Sequence, residues 1–376
     1  TPHFLNSIPY CLTNGVQFIL SRRAFGYRRS GQLLHIGQLS QLVEDLGVVI
    51  HAAELVCTLT TGVEVCPGSV ASDGQIVYTV TRFLFAEGGV HMSVLCLGEV
   101  WLELNAAAAP ELTETFRAQT GGWGAGFCRQ YAALGGQAAL LAQLGADPFG
   151  RKLAAQLARD GVDCSLLCFT NAFPTPVVFT GADTALPYRA HTAGLALGPE
   201  QLEAAPFRGA SAFCFSSAGL VDSPLRLAHL EALAAARDAG ALCCYLPRLA
   251  QAAPYWPQRE ALCQTALQFL DRADVLFLEE SDLLLLFDSR ELRTALFALF
   301  TGHVQLIFFY KKDRILAFTR SVMASAAKKD QSPALVLYRM EQMGIHVIDL
   351  PRLREHVLEQ LLSNDANTTE CQGLPY

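Results

Sequence analysis

The sequence is poor in charge. Asp, Glu, Lys and Arg make up 17% of its 376 residues, and the net charge is −7. No long basic run occurs, so nucleic acid is not an expected partner. Long apolar runs are missing too. No stretch of about 18 uncharged apolar residues exists, so a membrane span is not expected. The twelve cysteines and nine histidines are scattered. Cys243-Cys244 is the only adjacent pair, no C-x-x-C occurs, and no zinc spacing appears. The cysteines therefore read as small reduced core residues. The first residues lack a basic segment followed by an apolar run and a small-residue cleavage site. Asn367-Thr-Thr fits a glycosylation acceptor, but such triplets are common by chance. Together these absences predict a cytoplasmic protein.

Apolar residues are abundant, at 51%, which argues for a buried core and against disorder. The length suits one large α/β domain or two smaller ones. Residues 1–93 read as a small α+β appendage of unknown role, or as a segment that folds poorly. Leu34, Leu39, Leu42, Val43 and Leu46 could line a short helix, and 48–60 and 76–85 are β-rich. From 94 onward strands and helices alternate. Strands are expected at 94–104, within 137–144, and at 175–180, 211–216, 241–246, 275–278, 304–309 and 344–349. Helices are expected after Gly122, at 151–159, 225–239 and 259–270, and from 281. Such alternation predicts a largely parallel sheet with helices on both faces and a ligand at the carboxyl ends of the strands.

The stretch 121–150 organises this half. Gly121-Gly122 opens it, Gly135-Gly136 breaks it, and the loop GADPFG at 145–150 closes it. Glycines let backbone approach a ligand closely, so a substrate loop leading into a helix is one reading. Two ordinary helix breaks are the other.

The order of these pieces resembles the first signature region of the ribokinase/PfkB family of sugar kinases, the fructokinases in particular. Those proteins have a strand carrying GE, a GG-x-x-x-N turn, an A-L-x-x-L-GG helix end and a G-x-D-x-x-G loop. Further on, Pro174-Thr-Pro-Val-Val-Phe, Leu246-Pro-Arg-Leu followed by Tyr255-Trp-Pro, and the segment 273–282 (ADVLFLEESD) resemble later family phrases. The resemblance runs from about residue 94 to about 318. It implies a ribokinase-like three-layer α/β fold with a mostly parallel central sheet for 94–376, shortened at the C-terminus. It also implies ATP-dependent phosphoryl transfer to a sugar hydroxyl, with ATP and Mg2+ as cofactors, sugar and nucleotide as partners, and a possible homodimer through a lid at 181–194.

By the same resemblance Glu103 takes the position of the sugar-holding carboxylate, beside Gly121 and Gly122. Glu103 could equally be a solvated strand-edge acid. Glu279 and Asp282 stand where the N-x-x-E segment organises magnesium, or form a solvated helix-start cluster. Other positions depart from the family pattern. Gly126 replaces the sugar-binding Asn. Leu246, Arg248 and Ala250 replace the Asp, Asn and Arg of D-P-N-x-R. Phe309 and Lys311 replace the Thr and Gly of T-x-G. No G-A-G-D, the source of the family's anion hole and catalytic aspartate, follows Phe318. A forced alignment through 344–349 (GIHVID) puts Glu355 at the catalytic position; Leu353, Val357 and Leu361 suggest a plain amphipathic helix there instead. The expectation is a sugar-kinase homologue with degenerate catalytic motifs. A working kinase with a rearranged site, a non-catalytic binding protein and a decayed gene product are the alternatives.

Overall fold

The computed structural model describes residues 7–12, 16–21, 93–182, 184–287, 292–300, 302–327 and 331–363. The chain divides into two units, Thr1–His91 and Met92–Tyr376. In the first, β1 (Ser7–Leu12) and β2 (Val16–Ser21) pair as an antiparallel hairpin. The helix and strands expected at 34–46, 48–60 and 76–85 lie outside the described residues.

The second unit is built on a nine-stranded sheet. Its strands are β3 (Ser93–Leu97), β6 (Gln137–Gly145), β7 (Leu167–Thr170), β10 (Ala210–Ser216), β11 (Leu242–Leu246), β12 (Val275–Glu279), β13 (Leu306–Tyr310), β14 (Arg314–Phe318) and β15 (Met323–Ala327). The spatial order is β15-β14-β13-β12-β11-β10-β3-β6-β7. All pairings from β7 to β13 are parallel, and β14 and β15 add an antiparallel edge. The central strands are buried on both faces, hence their near-continuous apolar runs.

Successive strand residues point to opposite faces, so each strand feeds two cores. Val94 and Cys96 join one, Leu95 and Leu97 the other. The first core is covered by α1 (Trp123–Ala133), α2 (Pro148–Arg159), α7 (Pro333–Gln342) and α8 (Glu355–Leu362). The second is covered by α3 (Pro224–Asp238), α4 (Arg259–Leu270), α5 (Glu280–Phe287) and α6 (Leu292–Leu299). The result is three layers, helix–sheet–helix.

A second sheet stands apart, in the order β5-β4-β8-β9: β4 (Trp101–Asn105), β5 (Arg117–Gly121), β8 (Val177–Gly181) and β9 (Thr184–Tyr188). The single strand expected at 94–104 is thus two strands in two sheets. Gly98 N–H still bonds Leu141 O at 3.3 Å, but Glu99 turns into a buried ion pair with Arg189 and the chain leaves the main sheet. The strand expected at 344–349 is also corrected. Gly344 takes φ +63°, and 3-10 turns run from Val347 to Arg352. Asp349 Oδ2 accepts the His346 N–H at 2.9 Å, a local bond that competes with extended backbone. Among the described residues no helix is long and apolar enough to cross a membrane.

Candidate functional site

A cavity of about 880 Å³ opens where the carboxyl ends of β10 and β11 face the four-stranded sheet. Ser216 and Leu246 line it from those strand ends, Glu103 and Gly121 from the smaller sheet, and Gly122 and Gly126 from the start of α1. This is the end at which open parallel sheets bind ligands.

Glu103 sits mid-strand in β4, half-buried. Its Oε1 accepts Gln119 Nε2 at 2.8 Å from β5 and Thr180 Oγ1 at 3.2 Å from β8. These two bonds fix the carboxyl and aim Oε2 at the corner beside Gly121. A Cβ on Gly121 would stand 2.7 Å from Oε2 and would collide with the Trp101 indole nitrogen. Gly122 takes φ +112°, where a side chain would meet the Glu99 carbonyl. Glu103, Gly121 and Gly122 are therefore brought to one corner. Four residues further along α1, Gly126 also faces the cavity, and a Cβ there would meet nothing within 4 Å.

The loop at 145–150 is pinned differently. Asp147 caps α2 by accepting Gly150 N–H at 2.8 Å, and it takes Thr175 N–H and Oγ1 at 2.8 and 3.0 Å. Burial pushes its carboxyl up, but these bonds outweigh it and hold the pKa below the usual range. Asp147 joins α2 to the segment entering β8.

Glu279 and Asp282 lie outside the cavity lining. Asp282 is fully buried. Its Oδ1 accepts Leu249 N–H at 2.7 Å and its Oδ2 accepts Glu279 N–H at 2.9 Å. Glu279 Oε2 accepts Gln251 Nε2 at 3.2 Å. Both Asp282 oxygens are thus committed to backbone. Among the described residues no group of three or more His, Cys, Asp or Glu is placed to hold a metal ion. Direct ligation of Mg2+ by Asp282 does not fit this arrangement, which makes Asp282 a staple between the turn after β11 and the start of α5.

Three buried carboxyls, Glu99, Asp274 and Asp282, carry pKa values raised by burial. Burial pushes Glu99 up to about 7 in spite of Arg189, and Asp282 up to about 6 in spite of its two bonds. A group with a raised carboxyl pKa holds its proton in the folded state where the unfolded chain has released it. Its contribution is complete below the unfolded value and is lost as pH rises through the folded value. Buried His229, whose pKa burial lowers to about 4, works in the opposite sense between about pH 4 and 6.5. Glu99 and Asp282 together outweigh it, so thermal unfolding followed against pH is expected to show a net fall in stability toward pH 7. Asp282→Asn should reduce that slope, and an unchanged slope would refute the assignment.

Glu355 is exposed as the first residue of α8, which packs on β15 and α7; it does not line the cavity. The chain returns to the cavity instead at Pro333, the start of α7. Helix α7 lies against α1, where Tyr131 donates to Glu341 and its ring meets Tyr338 edge-on at 5.7 Å. Ser332 Oγ accepts Leu335 N–H at 3.2 Å, Ser332 O accepts Val336 N–H at 3.0 Å, and Pro333 has no N–H. A helix N-terminus binds anions through uncommitted N–H groups. At this one Pro333 has no N–H and that of Leu335 is already bonded, while the Val336 bond is the ordinary first bond of the helix. The Ser332-Pro333 pair before an apolar run signalled this helix start in the sequence. Trp101 and Trp123 also line the cavity without a signal of their own, and Tyr255, which lines it too, stood in a family-like phrase with no role assigned.

A family model described as pfkB family carbohydrate kinase matches residues 92–311. Fructokinase-1 of Zea mays is 33% identical over 198 residues, covering 50% of this chain and 61% of the relative. Probable fructokinase-4 of Arabidopsis thaliana is 34% identical over 158 residues, covering 41% of this chain and 48% of the relative. The chain thus spans about half to three-fifths of the length of these relatives. Among solved structures, a fructokinase with bound ATP from Xylella fastidiosa aligns with a TM-score of 0.64 at 23% identity, over 72% of this chain and 88% of that one. A PfkB protein from Polaromonas sp. JS666 aligns with a TM-score of 0.60 at 19% identity, over 69% and 92%. At such identities the likeness establishes the fold: ribokinase-like α/β, with a mostly parallel large sheet between helices.

Proposed function

The chain belongs to the pfkB family of carbohydrate kinases, and we propose that it keeps the family's sugar cavity while its phosphoryl-transfer machinery is impaired. The observation that carries this reading is the contrast between the two walls of the cavity. On one wall Glu103 is held by Gln119 and Thr180 and presents Oε2 beside Gly121. A carboxylate oxygen so placed accepts a hydrogen bond from a sugar hydroxyl, and a charge-assisted bond is stronger than a neutral one. On the other wall the first turn of α7 carries Pro333, Ala334, Leu335 and Val336. None of these can take a proton, and the N–H groups bonded to Ser332 cannot also receive a phosphoryl group.

Transfer from ATP, the donor used by kinases of this family, needs a base and an electrostatic cradle as well as a bound sugar. The cavity keeps a carboxylate for the sugar and, although Arg117, Arg129, Lys152 and Arg248 line it with positive charge, the first turn of α7 brings it no base. Its role is then to bind a sugar, with transfer slow or lost. Cytoplasmic residence belongs to this proposal and is supported by the eight free thiols among the described residues. Pairing of two copies through the smaller sheet belongs to it as well, supported by Tyr188, 65% exposed on β9.

Trp101 and Trp123 line the cavity, so intrinsic fluorescence reports on it. Titration with fructose and a panel of sugars is expected to give a saturable change with at least one of them. Glu103→Gln should weaken that sugar about 10-fold, by removing one charge-assisted hydrogen bond of about 1.5 kcal/mol or more. A flat titration of folded protein, or an unaffected Glu103→Gln variant, would overturn the sugar-binding reading.

A further inference from the structure

The chain passes between the main sheet and the smaller one at four places. They are the step from β3 to β4 at Gly98-Glu99-Val100, the step from β5 to α1 at Gly122, the approach to β8 through Pro174 and Thr175, and the return from β9 through Arg189 to Thr192. Three of these meet on Glu99. Its side chain forms an ion pair with Arg189. Its carbonyl occupies the space a side chain on Gly122 would need. A Cβ on Gly194, just past the return, would stand 2.9 Å from Glu99 Cγ.

The pair is dry: Glu99 is 3% exposed and Arg189 4%. Arg189 also reaches the body of the fold. Its Nη2 donates to Ala218 O at 2.9 Å, and its guanidinium lies 5.3 Å from the centre of the Tyr255 ring. Tyr255 in turn meets Trp101 of β4 at 5.2 Å between ring centres. Trp101, Tyr255 and Ala218 all line the cavity. Glu99, Arg189, Tyr255 and Trp101 thus form one continuous chain from the crossing points to the cavity wall.

We propose that the Glu99–Arg189 ion pair is a latch that sets the position of the four-stranded sheet over the cavity, and that Arg189 is a positioning residue for the Tyr255 and Trp101 rings. A planar guanidinium suits this task, because it can pair with a carboxylate in its plane and lie over a ring with its face. A buried pair costs desolvation, which makes it a weak device for stability and a better one for fixing one arrangement among several. The consequence for a ligand rests on the sugar-binding reading above; the consequence for the sheet does not.

The test compares wild type, Arg189→Lys and the double variant Glu99→Gln with Arg189→Met, in which no buried charge is left alone. Hydrogen–deuterium exchange at pH 8, without ligand, reads the amides of β4, β5 and β8 against those of β10 and β11. The double variant is expected to exchange about 10-fold faster or more in the smaller sheet, with the main sheet unchanged. Arg189→Lys, which keeps the charge and loses the planar contact, should fall between. Where a sugar binds, its affinity should fall by a similar factor. Equal acceleration in both sheets, or none in either, would overturn the latch and leave a plain structural pair. If the pair variants fail to fold, Tyr255→Leu at a half-buried position serves instead. It should also speed exchange in the smaller sheet, and unchanged exchange there refutes the proposal. A wild type that binds no sugar would sink the sugar-binding reading alone, since the exchange result judges the latch without a ligand.

Discussion

Replacing Gly126 by Asn is expected to tighten sugar binding by about 10- to 100-fold. Gly126 lies on α1 facing the cavity, and the space around it is open: an added Cβ would meet no atom within 4 Å. Asn brings one acceptor and two donors to the cavity at the start of α1. Each net hydrogen bond contributes about 0.5–1.5 kcal/mol, so two of them fall in the stated range. The substitution also removes a glycine from a helix interior, which stabilises the helix by a few tenths of a kcal/mol. Gly126→Ala separates the two effects, because it brings the helix gain without the polar group. Fluorescence titration should show tighter binding for Asn and wild-type binding for Ala. Equal affinities in all three would mean that Gly126 does not face the bound sugar.

The second large effect is on turnover. A general base accounts for roughly 10²–10⁴ in rate and one anion-hole donor for about 10²–10³. Such effects do not simply add. Even the smaller of them, taken with the other, moves a kinase from about 1–100 s⁻¹ to below about 0.01 s⁻¹. The first turn of α7 supplies no base, its side chains from Pro333 to Val336 being apolar, and few donors: Pro333 has no N–H, and those of Leu335 and Val336 are bonded to Ser332. Gly126→Asn should therefore change affinity and leave turnover low.

The main sheet was legible because its strands are buried on both faces and read as apolar runs between helical periods. Residues 242–246 and 275–279 carry their burial in their own composition. The four-stranded sheet was harder. Its strands are short and partly exposed, and β9 (TALPY) alternates without a strong apolar face. The break at Glu99 was hidden for a related reason. Glu99 sits inside an apolar run, and the partner that makes its burial tolerable is Arg189, ninety residues away in sequence and visible only in the fold.

Glu103, Gly121 and Gly122 came from the resemblance to the family's first signature region, and the fold sets them at one corner of the cavity because β4 and β5 pair as a hairpin. The far wall did not follow from the resemblance. Alignment by the apolar run 344–349 pointed to Glu355, while α7 begins at Pro333, before that run, and packs on α1 through Tyr131, Tyr338 and Glu341. Those contacts join residues about 210 apart, and no local pattern announces them. Glu279 and Asp282 read either as acids near a cation or as a solvated helix-start cluster, and neither reading includes a buried Asp282. Only the coordinates place both Asp282 oxygens on backbone N–H groups.

The measurement that bears most directly on the account is ADP release by the purified protein with ATP, magnesium and a panel of sugars led by fructose, run beside Glu355→Gln. The same preparation should first give a saturable fluorescence response to a sugar. The account predicts sugar binding with sugar-dependent turnover below about 0.01 s⁻¹ and no difference between wild type and Glu355→Gln. Sugar-dependent turnover in the ordinary kinase range of about 1–100 s⁻¹ would contradict it. Loss of that turnover in Glu355→Gln would further place the base on α8, in a state of the fold different from the one described above.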